Sequence, residues 1–306
     1  MPAAQHGRRF ISLDAHGRKV SMSAATPSLK LRAPPRIDET QVSKPLQDLF
    51  ASWREALREP FRGITADGEI ERNLFSKRPG GNVVPIVDAA TRFLAALSAG
   101  ERNAVTFSLD SEVWRHWSNI HRNLQRHGLC LVELSEHQRE LVYNFLSTSL
   151  GKHAYETARK AMKLNQTLAE MTGLPLEFGE FFYWISFFGT PSRTEPWGWQ
   201  LDGHHCNVNC LVASGQIVLS PILLGSEPVT AEAGIYEGMT VLREEEAEGW
   251  TLMQTLTPEQ RKKATIGMDL PFDGYASGFK DNIIVPYTGL PVGEMSPQQR
   301  KQLIKV

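Results

Sequence analysis

The chain has 306 residues, of which 41% are hydrophobic and 22% are charged, and its formal net charge is −1. A chain of this size and composition can bury a substantial core in one large or two small globular domains. Its basic residues are scattered and nearly balanced by acidic ones, so there is no long-range field of the kind that gathers nucleic acid or anionic lipid. We therefore expect neither nucleic acid nor a membrane among its partners.

The N-terminal 36 residues differ in composition from the rest. Seven basic residues in this stretch face one acidic residue, Asp14, with Ser, Ala and Pro between them. An organelle transit peptide has this bias, but no clear amphipathic period accompanies it here. We interpret residues 1–40 as a disordered basic tail and residues 41–306 as a single α+β domain.

Helix signals dominate the first half of the chain. Apolar residues recur at three- and four-residue steps in four segments, which predicts amphipathic helices over residues 43–59, 85–99, 136–150 and 153–172. Pro60, Gly100 and Gly173 provide stop signals for three of them. A turn signature at Asp67-Gly68 predicts a hairpin over residues 61–75, and a strand is predicted over residues 104–109.

Strand signals cluster in the second half. An aromatic run over residues 180–188 is typical of a buried strand, and further strands are predicted over residues 207–213, 217–223 and 282–285. Two more helices are predicted over residues 244–255 and 258–266. This order favours an α+β fold over an alternating parallel sheet. We expect a helix-rich N-terminal half packed on a mixed or antiparallel sheet from the second half.

Three cysteines are too few and too unevenly spaced for a disulfide framework. The sequence also has no apolar run of about 18 residues that would mark a transmembrane helix. Its N-terminus lacks the apolar stretch of a secretory signal. We expect a cytoplasmic protein, with organelle targeting by the basic tail as the alternative.

Residues 197–210, which read WGWQLDGHHCNVNC, concentrate aromatic and polar side chains. If the chain is extended from Gly203 onward, its period of two places His205, Asn207 and Asn209 on one face. His204 then lies on the other face, with the side chains of residues 206, 208 and 210. A buried imidazole or carboxamide without a partner costs roughly 1 to 3 kcal/mol. The polar face is therefore better suited to a wet or ligand-filled cavity than to a dry core.

His204 and His205 are candidates both for metal ligation and for acid/base catalysis. Imidazole binds Zn, Cu and Fe, and an unperturbed pKa of about 6.5 is suited to proton transfer. Cys206 and Cys210 are further soft-metal ligands on the expected face of His204. Neighbouring strand residues point apart, so the two imidazoles share an ion only if the chain turns sharply, which Gly203 permits. Purely structural hydrogen bonding is the third alternative.

Trp197 and Trp199 are candidates for the apolar wall of a pocket that takes a flat ligand, with core packing as the alternative. Asn209 is a candidate for orienting the substrate or a histidine. The motifs of serine hydrolases, phosphate-binding loops, dinucleotide-binding folds and HExxH zinc proteases are absent, which argues against these classes.

Several motifs form a recognisable set: PFRGIT at 60–65, WSN at 117–119, FGTPS at 188–192, and PWGW at 196–199 followed by GHH at 203–205 and Asn209. Together they resemble an uncharacterised family of bacteria and fungi, the domain of unknown function 3500, over roughly residues 45–306. The activity of that family is largely unassigned. The resemblance also implies a C-terminally shortened member, because relatives typically continue into a second His-x-His pair with a nearby Arg and Asp.

We expect a small-molecule enzyme with a His-His centre, plausible in secondary metabolism, that performs either a metal-dependent oxidation or hydrolysis, or a cofactor-free isomerisation or cyclisation. The cofactor is left open: in the metal-dependent case, His204 and His205 bind a transition metal, Zn, Cu or Fe. The site candidates are catalytic His204, His205 and Asn209, and substrate-binding Trp197, Trp199, Asp202 and Asn207. The alternative is a non-catalytic ligand-binding or accessory protein.

Overall fold

The computed structural model describes residues 33, 38–71, 80–120, 127–269 and 278–306. The expected basic tail and the end of the expected hairpin lie largely outside these residues. The helices of the described part are α1 Lys44–Ala56, α2 Val84–Ala95, α3 Ala99–Val105, α4 Glu136–Ser149, α5 Lys152–Thr172, α6 Arg243–Thr255, α7 Pro258–Ala264 and α8 Pro297–Leu303. Its strands are β1 Thr106–Phe107, β2 Leu129–Cys130, β3 Tyr183–Phe188, β4 Trp197–Gly203, β5 Cys206–Ala213 and β6 Gln216–Leu224.

The six strands form one mixed sheet in the order β1-β3-β4-β5-β6, with β2 pairing with the same edge of β3 as β1 does. The pairing of β1 with β3 is parallel, and the other pairings are antiparallel. Strands β3 to β6 are consecutive in the chain and form a meander. The predicted α+β fold, with helices first and a mixed sheet second, is confirmed.

One face of the sheet forms the main hydrophobic core with α2, α4 and α5. The apolar stripe of α2 buries Ile86 and Phe93, as its three- and four-residue spacing requires. Phe145 of α4 lies between two sheet residues, with its ring centroid 5.1 Å from that of Phe187 and 5.2 Å from that of Trp199. Burying one such aromatic side chain stabilises the fold by about 1.5 to 3 kcal/mol, so this layer fixes the register of β3 and β4.

The opposite face of β4 and β5 is polar, because alternate residues of a strand point to opposite sides. Gln200, Asp202, Asn207 and Asn209 all lie on this face and are each less than 5% exposed. The segment 112–120 covers them, since its backbone groups bond to Gln200 and Asp202. These four polar side chains are therefore held between the sheet and this segment.

Two strand predictions are wrong in the described residues. Residues 61–71 form no hairpin, and residues 282–285 form no regular strand. Instead, Thr65 makes an isolated parallel bridge with Ile284. This pairing joins segments more than 200 residues apart, so local turn and strand signals could not reveal it.

The strand expected over residues 104–109 shortens to Thr106–Phe107 because α3 extends to Val105. Helix α3 begins at a capping box in which Ser98 and Glu101 satisfy each other's backbone N–H groups. The sequence of the short helix α8 has no apolar pattern that predicts a helix. Helix α8 also begins with a capping box, which is formed by Ser296 and Gln299.

We expect Gly198→Ala to destabilise the fold by about 2 kcal/mol or more, because overpacking a core costs roughly 1 to 3 kcal/mol. A Cβ atom at Gly198 would lie 2.4 Å from the carbonyl oxygen of Cys210 and 2.5 Å from the ring of Trp114. Urea unfolding of the purified variant measures the change. The control is Gly249→Ala in the middle of α6, where a Cβ meets nothing within 4 Å and where added helix propensity should stabilise slightly. Equal effects of the two variants would contradict this packing of β4.

Candidate functional site

His204 and His205 form the two-residue turn between β4 and β5. His205 adopts a left-handed backbone conformation with φ 53°, which histidine tolerates better than most residues do. The centroids of the two imidazole rings lie 4.0 Å apart. His205 therefore lies in the turn, outside β5. Contrary to the expectation from the sequence, it does not share a strand face with Asn207 and Asn209. The sharp turn that a shared ion would need is present.

Neighbouring segments hold the turn in place. The N–H of His205 donates to the carbonyl oxygen of Asn119 at 3.0 Å, and the hydroxyl of Tyr183 donates to the carbonyl oxygen of His204 at 3.0 Å. The Tyr183 ring passes so close to Gly203 that a Cβ there would lie 2.3 Å from it. The glycine before the histidines is thus required for close packing, and the backbone of the pair is fixed on both sides.

Glu227 is the third member of the site, and it follows β6. The N–H of Gly225 donates to the carbonyl oxygen of His205 at 2.7 Å, which brings this segment against the turn. The Oε2 atom of Glu227 lies 3.4 Å from Nε2 of His205 and 4.0 Å from Nε2 of His204. One ligand atom from each of the three residues lies within 4.8 Å of the other two. Two imidazoles and a carboxylate are ligands that Zn²⁺ and non-haem Fe²⁺ accept.

Two of the spacings between these atoms are close to those around a small divalent ion. Ligand atoms about 2.1 Å from a tetrahedral ion are roughly 3.4 Å apart. The distance between His205 and Glu227 already has this value, and that between His204 and Glu227 is 4.0 Å. The side chains are 7% exposed for His204, 31% for His205 and 66% for Glu227. An ion would thus be held from the protein side by His204 and would face solvent beside Glu227.

Asp202 and Asn207 are buried behind the turn. Oδ1 of Asp202 accepts from the backbone N–H of Ser118 at 3.1 Å and also from the side-chain amide of Asn207. The same amide donates to the carbonyl oxygen of Ser118 at 3.1 Å. Because Asn119 follows directly and binds His205, this network fastens the segment that supports the turn. Both residues thus bond to the segment whose next residue, Asn119, bonds to His205.

Asn209 lies farther along the polar face. Its Oδ1 atom accepts from the amide of Gln200 at 2.6 Å, and its own amide donates to the carbonyl oxygen of Pro221 at 3.0 Å. Gln200 also pairs with His127. Four residues of extended strand, about 13 Å, separate Asn209 from His205, so the structure does not bring Asn209 to the histidine pair.

Trp197 and Trp199 are completely buried in the main core, on the face opposite Asn209. Cys206 and Cys210 share that face, so their thiols point away from the turn. Burial raises the pKa of each of these two thiols to about 12. The described residues that group as metal ligands with His204 and His205 therefore include Glu227 and neither cysteine.

No motif in the sequence points to Glu227 or Asn165. Oδ1 of Asn165, on α5, lies 2.8 Å from Nδ1 of His204. Asn165 is one polar residue on an amphipathic helix, and Glu227 stands in a loop beside Pro228. Neither belongs to a motif with the histidines, because tertiary packing alone brings these segments together.

A family model described as "Protein of unknown function (DUF3500)" matches residues 80–306. The chain belongs to this family. The match includes every residue of the turn, its supporting network, Asn165 and Glu227. No curated protein and no solved structure matches this DUF3500 chain. Among its described helices, none has the length and apolar character that a membrane crossing requires.

We expect all three cysteines of this DUF3500 protein to resist thiol reagents in the native state, since each is buried. A pKa of about 12 for Cys206 and Cys210 leaves only about one thiol in ten thousand ionised at pH 8, and the thiolate is the reactive form. Reaction with a chromogenic disulfide should be complete in urea and negligible without it. Rapid labelling of Cys206 or Cys210 in the native protein would contradict their core placement.

Proposed function

We propose that this protein is a metal-dependent enzyme acting on a small organic molecule, with the ion bound by His204, His205 and Glu227. The observation that carries the proposal is the convergence of their three ligand atoms within 4.8 Å of one another. A site with two histidines and one carboxylate leaves coordination positions open for water or substrate. Open positions distinguish catalytic sites from structural ones, in which protein atoms fill the coordination sphere.

An ion bound here would polarise a substrate oxygen or lower the pKa of a bound water molecule, and iron or copper would add redox chemistry. The chain's own contribution is a rigid support on one side and an accessible ligand on the other. His204 is held by its contacts with Tyr183 and Asn165. The side chain of Glu227 is 66% exposed, so its carboxylate can move toward or away from the histidines. Both hydrolysis and oxidation are compatible with this arrangement.

A cofactor-free reaction, an isomerisation or a cyclisation, would use the same residues differently. Nε2 of His205 and the carboxylate of Glu227 lie 3.4 Å apart, within the reach of an acid/base pair that tightens on a substrate. Metal content separates the two mechanisms. We place either enzyme in the cytoplasm, because no disulfide involves the three cysteines.

We expect the purified full-length chain, after treatment with a chelator, to bind Zn²⁺ or Co²⁺ stoichiometrically and to gain thermal stability, because an ion that binds only the folded state stabilises it. His204→Ala and Glu227→Gln should each weaken binding by more than the roughly 10- to 100-fold that loss of an outer partner costs. Calorimetric titration measures the affinity.

The matched control for this titration is His153→Ala. His153 also pairs with a carboxylate, that of Glu245, at 2.9 Å on the surface. It does not belong to the ligand group that the described residues form around His204 and His205. Its loss should leave binding unchanged. Absence of stoichiometric metal in the unmodified protein, or equal effects of His153→Ala and His204→Ala, would overturn the proposed metal centre.

A second candidate function, non-catalytic ligand binding, is favoured by a separate cavity. This cavity has a volume of about 290 Å³ and is lined by Phe61, Gly63, Ile64, Trp117, Ser220, Pro221, Lys280 and Asp281. Phe61 is 63% exposed and Ile64 is 48% exposed, so both offer apolar surface to a ligand. Asp281 is engaged by Arg115 at 2.6 Å, so the apolar side chains provide the contacts that a ligand would make in this cavity.

Anilinonaphthalene sulfonate, a flat apolar anion, is a suitable probe of this cavity. We expect Phe61→Ala to weaken its fluorescence-detected binding by about tenfold, because each 1.4 kcal/mol of lost contact costs a factor of ten. Tyr287→Ala is the control, since Tyr287 is 94% exposed and lies outside the cavity. Binding that is absent, or equally affected by both variants, would remove the support for this second function.

A further inference from the structure

We infer that Asn165 is a positioning residue that holds the neutral ring of His204 in its Nδ1–H form, so that the unprotonated Nε2 atom faces the ion site. This inference rests on the proposed metal centre for its purpose, but the tautomer itself is a property of the metal-free protein. Asn165 lies on α5 and is 3% exposed. Its side chain is therefore bonded mainly by protein partners.

The orientation of the Asn165 amide follows from its second contact. Its nitrogen lies 2.9 Å from the carbonyl oxygen of Gly179. A main-chain carbonyl only accepts hydrogen bonds, so the group facing it must be the NH₂. Reversing the amide would place two acceptor oxygens 2.9 Å apart in a buried site, which costs about 1 to 3 kcal/mol for each unsatisfied group. Gly179 thus fixes which end of Asn165 faces His204.

The remaining end of Asn165 is the oxygen, and it lies 2.8 Å from Nδ1 of His204. An amide oxygen accepts and cannot donate, so Nδ1 of His204 must carry the proton. In a neutral imidazole the proton on one nitrogen leaves the lone pair on the other. The lone pair of His204 is therefore on Nε2, the atom that lies 4.0 Å from Oε2 of Glu227.

Two further contacts support His204 in this orientation, one to its ring and one to its backbone. The ring of Phe178 packs against it, with centroids 5.4 Å apart, and the hydroxyl of Tyr183 bonds to its carbonyl oxygen. Phe178 and Gly179 belong to the same short connection between α5 and β3. One connection thus supplies both the apolar packing and the carbonyl that orients Asn165.

A neutral partner also suits the charge of the site. Glu227 is the only carboxylate of the ligand group. Asn165 orients His204 through a neutral amide and therefore adds no second negative charge. A divalent ion held by two neutral imidazoles and one carboxylate keeps a net positive charge, which an electrophilic centre needs.

The first test is the ring tautomer in the full-length, metal-free protein. Long-range ¹⁵N–¹H correlation spectra in alkaline buffer, where an imidazole is neutral, should show a protonated Nδ1 and an unprotonated Nε2 for His204. The signal is assigned by its loss in His204→Gln. A spectrum with the proton on Nε2 would overturn the inference, and this readout does not require any variant of Asn165 to fold.

The second test compares two variants of Asn165 in Co²⁺ titrations. Asn165→Leu has a similar volume but no acceptor, and it should weaken binding roughly 10- to 100-fold and remove the single tautomer. Asn165→Asp keeps the acceptor, so it should preserve the Nδ1–H form and bind Co²⁺ more tightly than Asn165→Leu does, although it removes the donor to Gly179 and should lower the melting temperature. The control Gln166→Leu changes the next residue of α5, which bonds to Glu170, and should have no effect. Unchanged binding in Asn165→Leu with an intact melting transition would also overturn the inference.

The two failures can be told apart. If the unmodified protein binds no ion while His204 still shows the Nδ1–H form, the metal centre is wrong and the tautomer assignment stands. If it binds Co²⁺ while His204 carries its proton on Nε2, the metal centre stands and Asn165 does not have the proposed role.

Discussion

The arrangement of the site depends on one constraint, the two-residue connection between β4 and β5. A strand would direct neighbouring side chains to opposite faces, whereas this turn places two imidazoles beside each other, with centroids 4.0 Å apart. The left-handed conformation of His205 is maintained because Asn119 and Gly225 bond to its backbone on either side. Glu227 reaches the histidines because the second of these bonds brings its segment to the turn.

The two faces of the sheet have different surroundings. On one face, Trp197 and Trp199 pack into the helices and are completely buried. On the other, Asp202 and Asn207 bond to the segment that supports His205. A buried carboxylate is costly unless it is bonded, so Asp202 provides more than packing. Its contacts connect the end of β4 to the segment that bonds to the turn.

The sequence predicted what depends on local periodicity. Helices α4 and α5 and strand β3 lie close to their expected bounds, because each has a continuous apolar pattern. The alternation of Asn207 and Asn209 against the core residues of β5 was also correct. The failures involve contacts between distant segments: the bridge of Thr65 with Ile284 and the approach of Glu227 to the turn. Packing decides these contacts, and no local signal encodes them.

Strand β6 is the last strand in the sheet order, so its outer edge has no partner strand among the described residues. Such an edge is a template on which another chain can add a strand. Pro221 lies within β6 and has no N–H to offer, and the pairing register shifts opposite it, between Val208 and Cys210. Both features discourage a foreign strand from extending the sheet. The loop that carries Glu227 begins where β6 ends, at Leu224, so the features that discourage strand addition also protect the sheet edge from which that loop departs.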